Sequence, residues 1–247
     1  MIANRLPTNL VLVAAVSIAL QLPIHATPTW DGSARELLFK GNELVNKGDY
    51  DGALKCFNAA IARDPKGWES YYSRASVYIQ KQQWNLALQD LNTVLQHEHA
   101  IRIAQIMRAR IYQHMGNYRG ALADYDTILN SASTSYSREG RASRAAVLHD
   151  RAWLLATCLD PALRNGKQAV EDATAACNAT TWSQPDYIDT LAAAYAETGD
   201  FDSAIKFEDR ALAHEKDQNS RKMLEEHMAK FHAHQPIRQS AKTDVKS

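Results

Sequence analysis

Apolar residues recur along this chain at two nested periods. Within short segments they return every three or four positions, as Leu37, Gly41 and Leu44 do ahead of Tyr50, placing one closely packed stripe on a helix. Over longer distances the stripe itself repeats. Ala53, Ala87 and Ala121 are spaced by 34 residues, and Ala169 and Ala204 resume the beat after an insertion. Four of these alanines follow a turn and an aromatic: Gly48-Asp49-Tyr50, Gln82-Gln83-Trp84, Gly116-Asn117-Tyr118 and Gly199-Asp200-Phe201. This period predicts helix-turn-helix units, each too small to bury its own apolar face, so neighbours must stack. No segment alternates apolar and polar residues for long enough to predict a sheet.

The first unit shows how the pattern works. Gly41 costs roughly 1 kcal/mol in a helix interior, so its presence predicts close approach of a second helix. Gly48 can end the first helix in a left-handed conformation, and Asp49 or Asp51 can cap the next. Phe57, Ala60 and Pro65 complete the second helix and stop it. Together Leu37, Gly41, Leu44, Ala53, Phe57, Ala60 and Pro65 resemble the tetratricopeptide pattern W-x2-L-G-x2-Y, A-x3-F and a final P. The second unit carries Tyr71, Ala75, Tyr78, Ala87, Leu91 and Val94, with His99 in place of the terminal proline. The third carries Arg108, Ala109, Tyr112, Ala121, Tyr125 and Ile128; the fifth carries Leu191, Ala192, Tyr195, Ala204 and Ala211.

The resemblance, to tetratricopeptide repeat proteins of bacterial type, covers roughly residues 34–216. It implies an all-α fold: a right-handed superhelical α-solenoid of about five helix-turn-helix repeats with a C-terminal capping helix. Residues 34–130 hold repeats one to three, and 131–144 form an insertion rich in Ser and Arg, read as an exposed hinge or a lengthened helix pair. Repeats four and five occupy 145–217. The fourth departs from the pattern: its first helix spans Ala145 to Cys158, Asp160-Pro161 breaks it, and about five extra residues precede the helix of Ala169. A capping helix at 218–234 lines up Met223, Leu224, His227, Met228 and Phe231, and 235–247 reads as a disordered tail.

Composition adds limits. At 247 residues with 45% hydrophobic content the chain can bury one continuous core, and its formal net charge of +0 supplies no long-range field toward nucleic acid. Residues 1–26 stand apart, with 27–33 as a linker. Arg5, the apolar run Leu10 to Leu20 and Ile24-His25-Ala26 have the layout of a secretory signal peptide, which predicts an exported protein of the periplasm or cell envelope. The rival is a retained membrane anchor, but a run of that length spans roughly 16 Å against about 30 Å of bilayer core. Cys56, Cys158 and Cys177 are an odd number, and the last two lie too far apart along an antiparallel hairpin for a disulfide, so all three read as small buried hydrophobes.

Motifs of catalysis and cofactor binding are not found: no glycine-rich phosphate loop, no H-E-x-x-H, no paired-cysteine metal motif. No cofactor, metal or enzymatic activity is therefore expected. His97-Glu98-His99 and the trio His227, His232 and His234 read as solvated helix-end residues, because helix geometry spreads their rings apart. Asp186 and Asp189 share one helix face, compatible with acid-base work but equally with stabilising a helix N-terminus after Pro185.

In tetratricopeptide arrays the first helix of each hairpin lines a concave groove, and that is what the resemblance implies here. The lining is then Leu38, Asn42 and Val45 in unit one, and Glu69, Tyr72, Ser76 and Ile79 in unit two. Unit three offers Ile103, Ile106, Arg110 and His114; unit four offers His149 and Trp153; unit five offers Asp189, Ala193 and Glu197. A protein or peptide ligand could set apolar anchors on Tyr72 and Ile106 and a carboxylate on Arg110. Tyr72 and Trp153 admit a second reading, as packing between repeats. The carboxylate clamp of chaperone-binding members is not expected: Asn42 matches it, but Leu38, Ser73, Ile103 and Met107 stand where its basic and asparagine residues belong.

The expected function is an exported scaffold or adaptor without catalysis. Two alternatives remain open: a membrane-tethered envelope assembly factor, if the N-terminal segment is retained, or an accessory protein binding an anionic polymer through Arg138, Arg141 and Arg144.

Overall fold

The computed structural model describes residues 33–97, 101–131 and 138–239, so the expected signal segment and nearly all of the linker lie outside the described residues. Among the described residues there are eleven α-helices and no strand. The hairpins pair α1 (Ala34–Asn46) with α2 (Tyr50–Arg63), α3 (Trp68–Gln80) with α4 (Trp84–Val94), and α5 (Ile101–His114) with α6 (Tyr118–Asn130). They continue as α7 (Arg138–Thr157) with α8 (Gly166–Ala179) and α9 (Pro185–Thr198) with α10 (Phe201–His214), and α11 (Gln218–His232) closes the array. Each hairpin packs within itself and against the next, giving the expected all-α repeat fold.

Local chemistry explains the regular turns. Gly48, Gly116 and Gly199 take φ of 78°, 78° and 84°, the left-handed region where a Cβ is penalised. One residue later Asp49, Asn117 and Asp200 cap the second helix by accepting from the backbone N–H of Gly52, Gly120 and Ser203. The second unit lacks both devices: Gln82 is forced to φ 57°, and Gln83 makes no side-chain cap. Gly41 does what its cost predicts. A Cβ there would lie 2.4 Å from the Phe57 ring, and Phe57 is fully buried. Ala75, Ala109, Ala152 and Ala192 hold the matching position in the other units, each 0% exposed.

A second ladder rides on the same lattice. Arg74 grips Asp90 through Nε (2.8 Å) and Nη2 (2.6 Å), while its Nη1 reaches Asn58 of the preceding unit (2.6 Å). Arg108 repeats this with Asp124 and Asn92, and Arg151 with Asp172 and Asp126. A planar guanidinium fits a carboxylate with two parallel bonds, so each clasp fixes one hairpin and ties it to the hairpin before. In unit one the corresponding positions are Lys40 and Cys56, and in unit five Leu191 and Phe207, so the end units lack the clasp.

Two boundaries need correction. The chain is already helical from Arg138, so from there the expected 131–144 insertion is the start of α7, one helix of 20 residues, in keeping with the lengthened-helix alternative and not the hinge. Its Arg, Glu and Ala content favours helix over hinge. The tail expected at 235–247 is packed as far as Gln239. Ile237 is 3% exposed in the C-terminal core, and the Gln239 backbone N–H donates to the Thr157 carbonyl at 2.9 Å. His234 turns the chain out of the helix at φ 56°, and Ile237 buries its apolar side chain, which anchors this stretch.

Candidate functional site

The lattice sets two columns of side chains along the first helices. One runs Leu38, Tyr72, Ile106, His149 and Asp189; the other runs Asn42, Ser76, Arg110, Trp153, Ala193 and, on α11, His227. In the first three units the apolar and amide members stay partly exposed. Leu38, Asn42, Glu69, Tyr72, Ile103 and Ile106 are all half-buried. Tyr72 has the Trp68 ring edge-on at 6.5 Å, and burial raises its hydroxyl pKa.

Other expected lining residues are engaged elsewhere. Arg110 Nε lies 2.7 Å from Asp150 Oδ2 on α7, and that buried carboxylate raises the guanidinium pKa. A paired cation of this kind is not the isolated anchor expected for a ligand carboxylate. His149 is 9% exposed, stacks on Tyr187 at 4.4 Å and has Nδ1 3.0 Å from Thr190 Oγ1, so it joins α7 to α9. His114 is tilted against Trp84 of the preceding unit at 4.2 Å and occupies the seam between units two and three. Trp153 packs on the C-terminal core and lies 5.9 Å from His227, which favours its packing role. Glu197 accepts from Arg164 at 2.9 Å and lies 2.6 Å from Arg238.

Outside the columns, Arg144 donates to the Leu129 carbonyl at 2.9 Å, so this member of the Arg-rich stretch serves helix packing. The side chains of Arg138 and Arg141 lie outside the described residues, as do Glu98 and His99. A surface recess of about 430 Å³ is lined by Gly116 to Arg119 and by Leu159, Asp160 and Leu163. These belong to a turn, the start of α6 and the α7–α8 connection, away from both columns.

The C-terminal end of the columns holds a cluster that helix-face reasoning did not assemble. Asp189 turns to His227, whose Nδ1 lies 2.8 Å from Oδ1, and Glu208 Oε1 is 4.0 Å from the same nitrogen. The three residues come from α9, α10 and α11, and all three are buried. Burial, and then the Asp189 charge, push the Glu208 carboxyl up to about 11. The signal for it was present in the repeat. Glu208 stands four residues after the lattice alanine, where units one to three place Phe57, Leu91 and Tyr125. His227, expected to be a solvated helix-end residue like His232 and His234, is instead buried, while those two are exposed.

Residues 40–99 match the tetratricopeptide repeat family model. The chain is 27% identical over 130 residues to a tetratricopeptide repeat and J domain-containing co-chaperone of Cryptococcus neoformans, covering 53% of this chain and 25% of that one. It is 37% identical over 90 residues to human sperm-associated antigen 1, covering 36% of this chain and 10% of that one. The chain thus spans a quarter or less of the length of these curated relatives. Among solved structures, YrrB, described as a TPR protein with an unusual peptide-binding site, superposes with a TM-score of 0.58 at 16% identity, over 81% of this chain and 93% of that one. Residues 40–99 thus carry tetratricopeptide repeats, and further hairpins of the same build are stacked after them.

Proposed function

We propose that the chain is an exported scaffold that holds a peptide segment of a protein partner along the first helices of units one to three, with no chemistry of its own. The observation that carries this reading is the run of half-buried first-helix residues Leu38, Asn42, Glu69, Tyr72, Ile103 and Ile106. Partly exposed aromatic and aliphatic side chains on rigid helices can be covered by a ligand at little entropic cost. Arg110 and His149 leave the ligand-binding set, because Arg110 already pairs with Asp150 on α7 and His149 already holds α9. The recognised segment therefore presents apolar anchors to Tyr72 and Ile106. Export rests on residues 1–26 alone. Among the described residues no helix is long and apolar enough to cross a membrane.

The test is affinity capture from the native envelope fraction with wild type and with a folded Tyr72→Ala/Ile106→Ala variant. Arg110 is left intact, since its removal would strand the buried Asp150. A protein captured by wild type and lost from the variant is the expected result, with the recovered chain beginning after Ala26. An identical set of captured proteins would contradict the groove, and a chain starting at Met1 in the membrane would favour the tethered alternative.

A further inference from the structure

Buried aspartates in this protein follow one rule. Asp90, Asp124, Asp150 and Asp172 are each buried, and each meets an arginine: Arg74, Arg108, Arg110 and Arg151. Asp189 breaks the rule. It is 3% exposed and meets His227 instead, beside Glu208, which is 0% exposed. Neither Glu208 oxygen accepts a hydrogen bond. Two buried carboxyl groups thus face each other with one imidazole and, among the described residues, no Lys or Arg ion pair. A carboxylate buried this way is costly unless a cation compensates it. Moreover, Glu208 replaces the apolar core residue of the repeat, so the lattice itself gives no packing reason for a carboxyl there.

We propose that Asp189, Glu208 and His227 bind one divalent first-row transition cation, with Zn²⁺ as its probe, and that this ion staples α11 to the fifth hairpin. One ligand atom from each residue lies within 4.8 Å of the other two. Bonds of about 2.0–2.2 Å in a tetrahedral set need ligand atoms roughly 3.4 Å apart, so side-chain adjustments of about 1 Å suffice. The donor set of one imidazole nitrogen and two carboxylate oxygens suits such a cation. Each ligand comes from a different helix, so binding resists separation of α11 from α9 and α10. Trp153, half-buried and 5.9 Å from His227, shields the site beside the first-helix face. Three protein ligands leave one position for water.

The test uses the full chain, stripped by chelator and titrated with Zn²⁺ by calorimetry and in thermal melts. One equivalent is expected to bind, with Tm rising by roughly 5–10 °C at free Zn²⁺ about 100-fold above its Kd. Glu208→Gln keeps the size of the side chain and an N–H to donate to Asp189, so it should fold and lose the stoichiometric equivalent. His227→Gln should lose it too. Should neither variant fold, Co²⁺ bound to wild type is expected to give a tetrahedral visible spectrum. Absence of stoichiometric uptake by wild type would overturn the site, as would an octahedral spectrum. Uptake that survives both substitutions would overturn it as well. So would a Glu208→Gln chain that melts higher while Zn²⁺ leaves wild type unchanged, because Glu208 would then be only a carboxylic acid sharing its proton with Asp189.

Discussion

Among the tight hairpin turns of units one, two, three and five, the one at Gln82 and Gln83 is the weakest built. Gln82 sits at φ 57° where units one, three and five have glycine, and Gln83 leaves its helix without the side-chain cap that Asp49, Asn117 and Asp200 provide. A left-handed non-glycine residue costs roughly 1–2 kcal/mol, partly offset by the greater freedom glycine has when unfolded. A missing cap costs about 1 kcal/mol. Gln82→Gly with Gln83→Asp should therefore stabilise the protein by roughly 1–2 kcal/mol, read as a higher denaturant midpoint at constant slope. No change, or a fall, would mean that the turn is held by something other than its backbone. Residue-level features of this kind were legible in advance wherever the chemistry is local. The cost of Gly41 points to a close contact, and the Phe57 ring is what makes it.

At the scale of elements, the arginine clasps decide how hairpins join. Arg108 and Asp124 are 16 residues apart on different helices, so no helix-face argument brings them together. Their recurrence with the repeat period is the only sequence trace. Side chains of Asp124 and Arg108 are 8% and 23% exposed, so removing the arginine alone strands a buried carboxylate. Arg108→Leu should cost about 3 kcal/mol. Adding Asp124→Phe should recover most of this, because Leu191 and Phe207 fill the same two positions in unit five, where Phe207 stacks on Tyr195 at 5.4 Å. Strictly additive losses in a denaturant-based double-mutant cycle would show that the clasp holds no coupled energy. The same scale explains the start of α7. Helix-forming residues from Arg138 onward outweigh the serines that suggested a hinge.

For the whole molecule, the 34-residue period carried the fold, because stacking is the only way such small units can bury their apolar faces. The candidate site was less legible. Periodicity places Tyr72, Ile106, Arg110 and His149 on one face, but cannot say which side chains a neighbouring helix consumes. Asp150 takes Arg110 from 40 residues away, and Tyr187 with Thr190 takes His149. Residues without such partners remain the surface on which the scaffold reading rests. The most direct test places a photo-activated cross-linking residue at Tyr72, at Ile106, and at exposed Glu171 on the second helix α8. In native envelope extract, Tyr72 and Ile106 should cross-link one common partner and Glu171 should not. Adducts confined to Glu171, or none from the first-helix positions, would contradict a binding face on the first helices.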